Sequence, residues 1–569
     1  MDDVRDAPPA VEPAPLARRR LERLAAAGCV GPRPLITDDL DRAAARTPDK
    51  VAVVDPSRGQ EAVLTYGELR RRVDALAAGL WRAGVRPGEV VPFQLPNWWE
   101  FVALQLALVR LGAVSCPLMP IFRQRELSFV LGQTGARLLV VPDRFRKTDH
   151  AALAADVLPG LPRLERVYVV AGQAGPAAVP DRGPFRPFAE LLEGGPGAPV
   201  PPPEPDAITQ LLYTSGTTGE PKGVLHTHRT LLEALDRQVR HFGLGPDDVV
   251  FVPSPVAHQT GFLYGFWLAV HLGATAVYQD VWSGELAWEL MDRWGVRFVQ
   301  AATPFLADLV AEAARRGRGP RSLRLFVATG ASVPRSLAHQ AQGQLRAVVA
   351  GAWGTTESGL VTAGAPGDPP EKTWQTDGRL LPDMGMRVVD EAGRDLPPGR
   401  EGRFLVRTPG MFVGYLGHPE WYERAFVDED WLDTGDVAVV DADGYMRILG
   451  RTKDIINRGG EKIPVAEIES LLHEHPAVQE VALVAMPDPR FGERACAFVV
   501  CRPGAHLTLA EVQRYLEARG TAKQYWPERV ELVPALPRTP SGKVQKYLLR
   551  EQIAAILAAE AAQAVGEGR

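Results

Sequence analysis

One run of sixteen residues, 211–226, reading LLYTSGTTGEPKGVLH, constrains this chain more than any other. A short apolar lead-in gives way, over 214–221, to residues that are nearly all small, hydroxylated or turn-forming. Then come a lone cation, Lys222, a glycine, and the apolar Val224 and Leu225. A Gly/Ser/Thr cluster between two β-prone runs predicts strand, tight loop, strand. Gly216 and Gly219 let backbone N–H groups approach a ligand. Ser215, Thr217 and Thr218 add hydroxyl donors and Lys222 adds positive charge, a set able to cradle a polyphosphate. The spacing departs from G-x-x-x-x-G-K-[ST], so this is not the phosphate loop that runs into a helix. On its own, a short loop of this kind is also readable as a polar hairpin that binds nothing.

The 569 residues exceed what one ordinary core accommodates and predict two or more domains. With 46% hydrophobic and 23% charged residues the composition is that of a globular protein. A net charge of −5 argues against general nucleic-acid binding, which needs a cationic footprint. Cys29, Cys116, Cys496 and Cys501 are too scattered for a disulfide framework and read as buried thiols in a reducing compartment. The opening MDDVRDAPPAVEPAPLARRR lacks the apolar centre of a signal peptide and reads as a frayed tail. The most apolar segment, 101–122, is interrupted by Gln105, Arg110, Gly112 and two prolines. It predicts a buried helix followed by a strand, not a membrane span. The expectation is a soluble cytoplasmic protein with no nucleic-acid partner and no integral membrane association.

From 36 to 96 helix and strand alternate: a helix with a capping start at Thr37, a buried strand over 51–55, then an amphipathic helix from 64. Strand character recurs around 90–97, 113–120, 137–143 and 166–172, with a helix over 102–111. This order predicts stacked α/β layers with mostly parallel pairing. A Pro/Gly-rich excursion over 171–205 leads to the central loop. Beyond it come a helix over 231–244 and a strand over 249–252 ending in PSPVAHQTG, with a helix from about Phe262. His258 therefore sits on a strand-to-helix loop beside Phe262, Tyr264, Phe266 and Trp267. Strand ends of α/β folds are where ligands collect, although aromatics at helical spacing are also plain core.

Two more segments follow strands. RLFVATGASVP places Gly330, Ala331 and Ser332 as a platform for a flat heterocycle, and VVAGAWGTTESG places Trp353, Gly354, Thr355, Thr356 and Glu357 likewise. Residues 385–415 are strand-rich with Gly/Pro punctuation and predict a small β subdomain. Asp436 lies in the turn DTGD, Arg451 follows Gly450, and NRGGEKI spans 457–463. A compact end domain follows: a capped helix over 464–474, strands over 480–485 and 494–500, a helix over 509–519, and the closing PRTPSGKVQKYLLR. There Lys543 sits in a Pro/Ser/Gly turn before a helical tail over 547–558. On that turn alone it is an ordinary solvated lysine. His226, His228, His473 and His475 lack partners at metal-ligand spacing and read as core or solvated histidines.

The central dodecapeptide, residues 213–224, closely resembles the signature phosphate loop of the adenylate-forming (AMP-binding) superfamily, which includes acyl-CoA synthetases, non-ribosomal adenylation domains and luciferases. WGTTE resembles its YGxTE motif with Trp353 in place of tyrosine, a change that keeps an aromatic face for adenine. DTGD, GRTKD, GGEKI and PRTPSGK follow in the family's order, and the turn SPVAHQTGFLYG looks most like medium-chain or alicyclic, cyclohexanecarboxylate-like acyl-CoA ligases. The resemblance covers residues 35–547.

What the resemblance implies is specific. ATP, Mg²⁺ and coenzyme A are the expected cofactors. Thr214, Ser215, Gly216, Thr217, Thr218, Gly219 and Lys222 would hold the β/γ-phosphates. Thr214 and Glu357 would serve the metal, since a hard cation between phosphates takes one or two carboxylates and keeps waters. Gly330, Ala331, Ser332, Trp353, Gly354, Thr355, Thr356, Asp436 and Arg451 would bind the nucleoside, Asp436 through both ribose hydroxyls. His258 and the segment Gln300–Pro304 would flank the acyl group, and Lys543 would bridge substrate carboxylate and α-phosphate. Lys453 would be the hinge, and Gly459 and Gly460 would meet the pantetheine arm. The implied organisation is a flexible tail (1–34), an AMP-binding domain of layered α/β sheets with a β-rich subdomain (35–450, phosphate loop 213–224), and a small mobile α+β lid (451–569). The implied activity is acyl-CoA synthesis from an apolar acid, or aryl-acid loading of a carrier protein in trans, by a monomer or homodimer.

Overall fold

The computed structural model describes residues 9–26, 35–59, 61–173, 175–181, 183–193, 202–214, 221–330, 335–451, 456–458, 461–463, 465–488, 492–521, 523–538 and 543–567. Two large sheets organise the first part of the chain. In the nine-stranded sheet the central strands run in the order Val348–Thr355, Leu325–Ala328, Phe298–Ala301, Val250–Val252, Ala276–Tyr278 and Val51–Asp55, all parallel. Antiparallel strands close both edges. The eight-stranded sheet places Ile208–Thr214 beside Val114–Pro117, then Val90–Phe93, Leu138–Pro142 and Arg166–Val170, again in parallel. Strands buried on both faces read as continuous apolar runs, which is why VAVVD and LLVVP carry no polar alternation.

Between the sheets lies one core, shared by Val53, Val252 and Phe298 of the first and Val91, Phe93 and Leu212 of the second. The helix Trp99–Arg110 runs through it, buried continuously from Glu100 to Val109, as a helix apolar all round must be. His228–Phe242 and the π-helical turn Phe262–Trp267 complete the layer. The aromatics beside His258 are therefore core: Phe262, Phe266 and Trp267 pack on one another and, through Phe262 and Phe266, on Phe101.

The β-rich stretch forms a separate antiparallel sheet of Gly385–Val389, Gly402–Arg407, Trp431–Val440, Phe426–Val427 and Met446–Arg451. The small C-terminal domain has its own five-stranded sheet, its helices Val465–His473, Leu509–Ala518 and Lys546–Glu567, and its own apolar clusters around Leu483 and Phe498. The architecture is α/β, a large N-terminal domain and a small C-terminal one.

Two local expectations need correction. The segment read as a frayed tail contains the helix Pro15–Ala26, docked by Leu16, Ala17 and the buried Arg20. Arg20 donates through Nη2 to the carbonyls of Met411 and Phe412 at 3.3 and 3.2 Å, which ties the helix to a distant loop. Thr37 precedes the helix Asp38–Arg46 without capping it through its side chain, and Asp38 instead accepts from Leu35 N at 3.0 Å. Cys116 and Cys496 are buried free thiols, Cys501 is partly buried, and Cys29 lies outside the described residues. Among the described residues no helix is long and apolar enough to cross a membrane.

Candidate active site

The antiparallel hairpin expected from the sequence is present: Ile208–Thr214 pairs with Lys222–Thr227, and Thr214 faces Lys222 across the ladder. Ser215, Gly216, Thr217, Thr218 and Gly219 lie outside the described residues. The Lys222 ammonium sits 5.2 Å from the centre of the Tyr415 ring and 5.4 Å from that of Trp421, where aromatic faces favour a cation. Tyr415 carries the next link. Its hydroxyl donates to Glu357 Oε1 at 3.0 Å, while the Glu357 carbonyl accepts from Phe412 N at 2.7 Å. Burial raises the Tyr415 phenol, with the Glu357 charge adding to the effect, so Tyr415 remains a donor.

Glu357 lies in the tight turn between Val348–Thr355 and Gly359–Ala363. Gly354 is required there, because a Cβ would stand 2.4 Å from the Gly359 carbonyl oxygen. Thr355 and Ser358 brace the turn reciprocally, Ser358 N donating to Thr355 Oγ1 at 3.1 Å and Thr355 N to Ser358 Oγ at 3.3 Å. Thr356 is held from the hairpin side: its carbonyl lies 2.7 Å from Nε2 of the buried His226. Burial pushes His226 down to about 4, which keeps it neutral. His226 and His228 are core histidines, and His473 and His475 are partly buried. Among the described residues no cluster of His, Cys, Asp and Glu has the makings of a metal site.

Trp353 precedes that turn and points the other way. Its indole N–H donates to Asp436 Oδ2 at 2.9 Å, and its ring meets Phe404 edge-on at 4.9 Å. Asp436 is 4% exposed and lies opposite Arg451 in the ladder, with Arg451 Nε 3.2 Å from Oδ1. Gly330 caps the strand Leu325–Ala328 in a left-handed conformation, φ +83°, facing open space. Ala331 and Ser332 lie outside the described residues, as do Lys453, Gly459 and Gly460.

His258 caps the short helix Gln259–Gly261, its Nδ1 accepting from Thr260 N at 3.3 Å. It leads into the π-helical turn Phe262–Trp267, a distortion that often marks functional positions. Burial pushes the imidazole down to about 4, and the positive charge of Lys543 adds to the shift. Tyr264 closes the circle, its hydroxyl lying 3.6 Å from where a Cβ on Gly359 would be. Sequence reasoning had not singled out Tyr415, Trp421, Gln259 or the His226–Thr356 tie. The aromatic-rich MFVGYLG following the small β strands is the one signal that pointed toward Tyr415. A separate open cleft of about 520 Å³, lined by Arg58, Trp98, Arg144, Arg146 and Asp280 among others, shares no residue with this constellation.

Lys222 at the open end of the hairpin, Glu357 and Trp353 around the end of Val348–Thr355, and Asp436 with Arg451 in the β subdomain are thus linked through Tyr415 and through the Trp353–Asp436 bond. Residues 40–416 match the AMP-binding enzyme family, and residues 467–543 match the AMP-binding enzyme C-terminal domain. The chain belongs to the AMP-binding enzyme family and is an adenylate-forming ligase. It is 34% identical to a medium-chain fatty-acid–CoA ligase of Escherichia coli (strain K12), over 91% of this chain and 90% of that one. It is 36% identical to a salicyl-AMP ligase / salicyl-S-ArCP synthetase of Mycobacterium tuberculosis, over 90% of each. The structure of an anthranilate CoA ligase in complex with anthranoyl-AMP superposes with a TM-score of 0.83 at 25% identity, covering 94% of this chain and 99% of that one.

Proposed function

We propose that the protein joins a carboxylic acid of mainly apolar body to ATP, releasing pyrophosphate, and then passes the acyl group to the thiol of coenzyme A, releasing AMP. The observation that carries this reading is the linked set Lys222–Tyr415–Glu357 and Trp353–Asp436–Arg451, in a chain whose relatives include acid-activating ligases. In the first step a carboxylate oxygen attacks the α-phosphorus and the bond to pyrophosphate breaks. Two anions must meet, so the work is positional and electrostatic. Lys543 spans the substrate carboxylate and α-phosphate and neutralises charge as it develops. Lys222, with Ser215, Thr217 and Thr218, holds the β/γ-phosphates. Asp436 and Arg451 take the ribose, and Trp353, Gly354, Thr355, Thr356 and Gly330 frame the base. His258, neutral at working pH, lines the approach of the acid without repelling Lys543.

Thr214 and Glu357 offer a hydroxyl and a carboxylate, the hard oxygen donors that a Mg²⁺ shared with phosphates takes. Bound with the nucleotide, the ion supplies further neutralisation of the phosphate charge. In the second step the small domain turns about Lys453, Lys543 withdraws, and the Gly459–Gly460 loop meets the thiol. The thiol sulfur then forms a bond to the acyl carbon as the bond to AMP breaks. The proposed setting is the cytoplasm, and the proposed assembly a monomer or homodimer.

The salicyl-AMP relative supports a second reading, in which an aryl acid is loaded onto a carrier protein in trans. Acid-dependent exchange of labelled pyrophosphate into ATP, run across alkyl, alicyclic and aryl acids, tests adenylation. Repeating the productive acids with coenzyme A and with a phosphopantetheinylated carrier separates the acceptors. Failure of every acid to drive exchange would contradict the proposal.

A further inference from the structure

The core beneath the His258 turn holds more amide groups than it pairs. Gln210 Nε2 donates to Gln259 Oε1 at 2.9 Å, and Gln238 Nε2 donates to Gln300 Oε1 at 2.9 Å. Gln210, Gln259, Gln238 and Gln300 are 0%, 4%, 0% and 3% exposed. One bond joins each pair, so Gln210 and Gln238 each keep a buried carbonyl oxygen without a partner, and Gln259 and Gln300 each keep a buried nitrogen without one. Turning both amides of a pair around leaves the same surplus, one donor and one acceptor.

The two pairs are neighbours in the core, because the short helix Gln259–Gly261 packs against the strand Phe298–Ala301. Gln300 alternates with Val299 and Ala301, which pack into the outer cluster, so it shares the inward face of Phe298 with the π-helical aromatics. Gln210 shares the inward face of Leu212 in the same way. Gln259 directly follows His258, and Gln300 lies at the C-terminal end of its strand in register with Val327, three residues before Gly330. The indole nitrogen of Trp267, in the same aromatic group, also has no partner. Buried amide atoms are almost always satisfied, and each exception is destabilising. Several together, directly beside the His258 turn, are groups that a polar ligand substituent would pair.

We propose that the acid this protein activates carries a hydroxyl or amino substituent on its apolar body, which hydrogen-bonds to the free amide groups of Gln259 and Gln300. This rests on the acid-activating reading above. A plain alkyl or alicyclic acid brings nothing to pair with these atoms. A site built to hydrogen-bond an O–H or N–H rejects the analogue lacking it far more strongly than an apolar pocket distinguishes one methylene.

The test compares matched acids on the full-length protein by pyrophosphate exchange: benzoate against its hydroxy and amino derivatives, and octanoate against its hydroxy derivatives. At least one substituted member should exceed its parent by about 100-fold in kcat/KM. Gln259→Leu and Gln300→Leu should each cut that ratio to about tenfold or less, by lowering the substituted member more than the parent. A variant that does not fold leaves the wild-type ratio to decide. Parents equal to or better than every substituted acid would overturn the inference and leave the adenylation reading standing. No exchange with any acid would overturn both.

Discussion

The indole of Trp353 is hydrogen-bonded, at 2.9 Å, to the same carboxylate, Asp436, that Arg451 approaches at 3.2 Å from the neighbouring strand. The two side chains come from different sheets, so this pair ties the large α/β domain to the β subdomain at the proposed ribose site. Trp353 therefore has a second task beyond offering a ring to the base. It fixes the rotamer of the carboxylate assigned to the ribose in the proposed function. Trp353→Phe keeps an aromatic face and deletes the donor. A hydrogen bond to a charged group is worth about 1.5–3 kcal/mol, so KM for ATP should rise about 10- to 100-fold with KM for the acid little changed. Equal change in both constants would contradict this role.

Tyr415 joins the lysine end of the phosphate hairpin to Glu357, its ring beneath Lys222 and its hydroxyl on the carboxylate. Tyr415→Phe should leave the ring contact intact and free one oxygen of Glu357. The Mg²⁺ concentration giving half-maximal pyrophosphate exchange should rise roughly tenfold, the value of one charge-assisted hydrogen bond. An unchanged Mg²⁺ dependence would remove Glu357 from the metal role.

A pH effect on stability is expected from a site remote from the chemistry. Burial alone would depress His271, but its hydrogen bonds to Asp236 at 3.1 Å and Asp39 at 2.7 Å outweigh that and lift it to about 9. The folded protein thus holds this proton more tightly than the unfolded chain, whose histidine titrates near ~6.5. Its stabilisation, roughly 3 kcal/mol, is fully present below pH ~6.5 and is lost as the pH rises through about 9. The melting temperature should fall by a few degrees across that window, and the fall should be smaller in His271→Gln. Identical profiles for both proteins would show that the cluster does not titrate as described.

Local pattern made much of this fold legible before any coordinates. The hairpin at Thr214 and Lys222, the helix through residues 102–111 and the paired strands around Val484 and Cys496 all come from runs whose neighbours in sequence decide their structure. Partners far apart in the chain were not legible. The helix Pro15–Ala26 exists because Arg20 finds carbonyls at Met411 and Phe412, and nothing near Arg20 announces them. The helical aromatics after His258 suggested a regular helix, and the π-helical turn depends instead on packing against Phe101 and Val252. The glutamines read as ordinary strand and helix residues, and only their mutual burial shows the surplus of amide atoms.

The central claim is that Lys543 serves acid activation and not thiol transfer, and separating the two half-reactions of Lys543→Ala tests it most directly. Acyl-adenylate formation, followed by pyrophosphate exchange with a productive acid, should fall by at least about 10²–10³, the usual effect of losing one preorganised charge-stabilising group. Transfer from preformed acyl-adenylate to coenzyme A should stay within a few-fold of wild type. Equal loss in both half-reactions, or exchange that survives the substitution, would contradict the account.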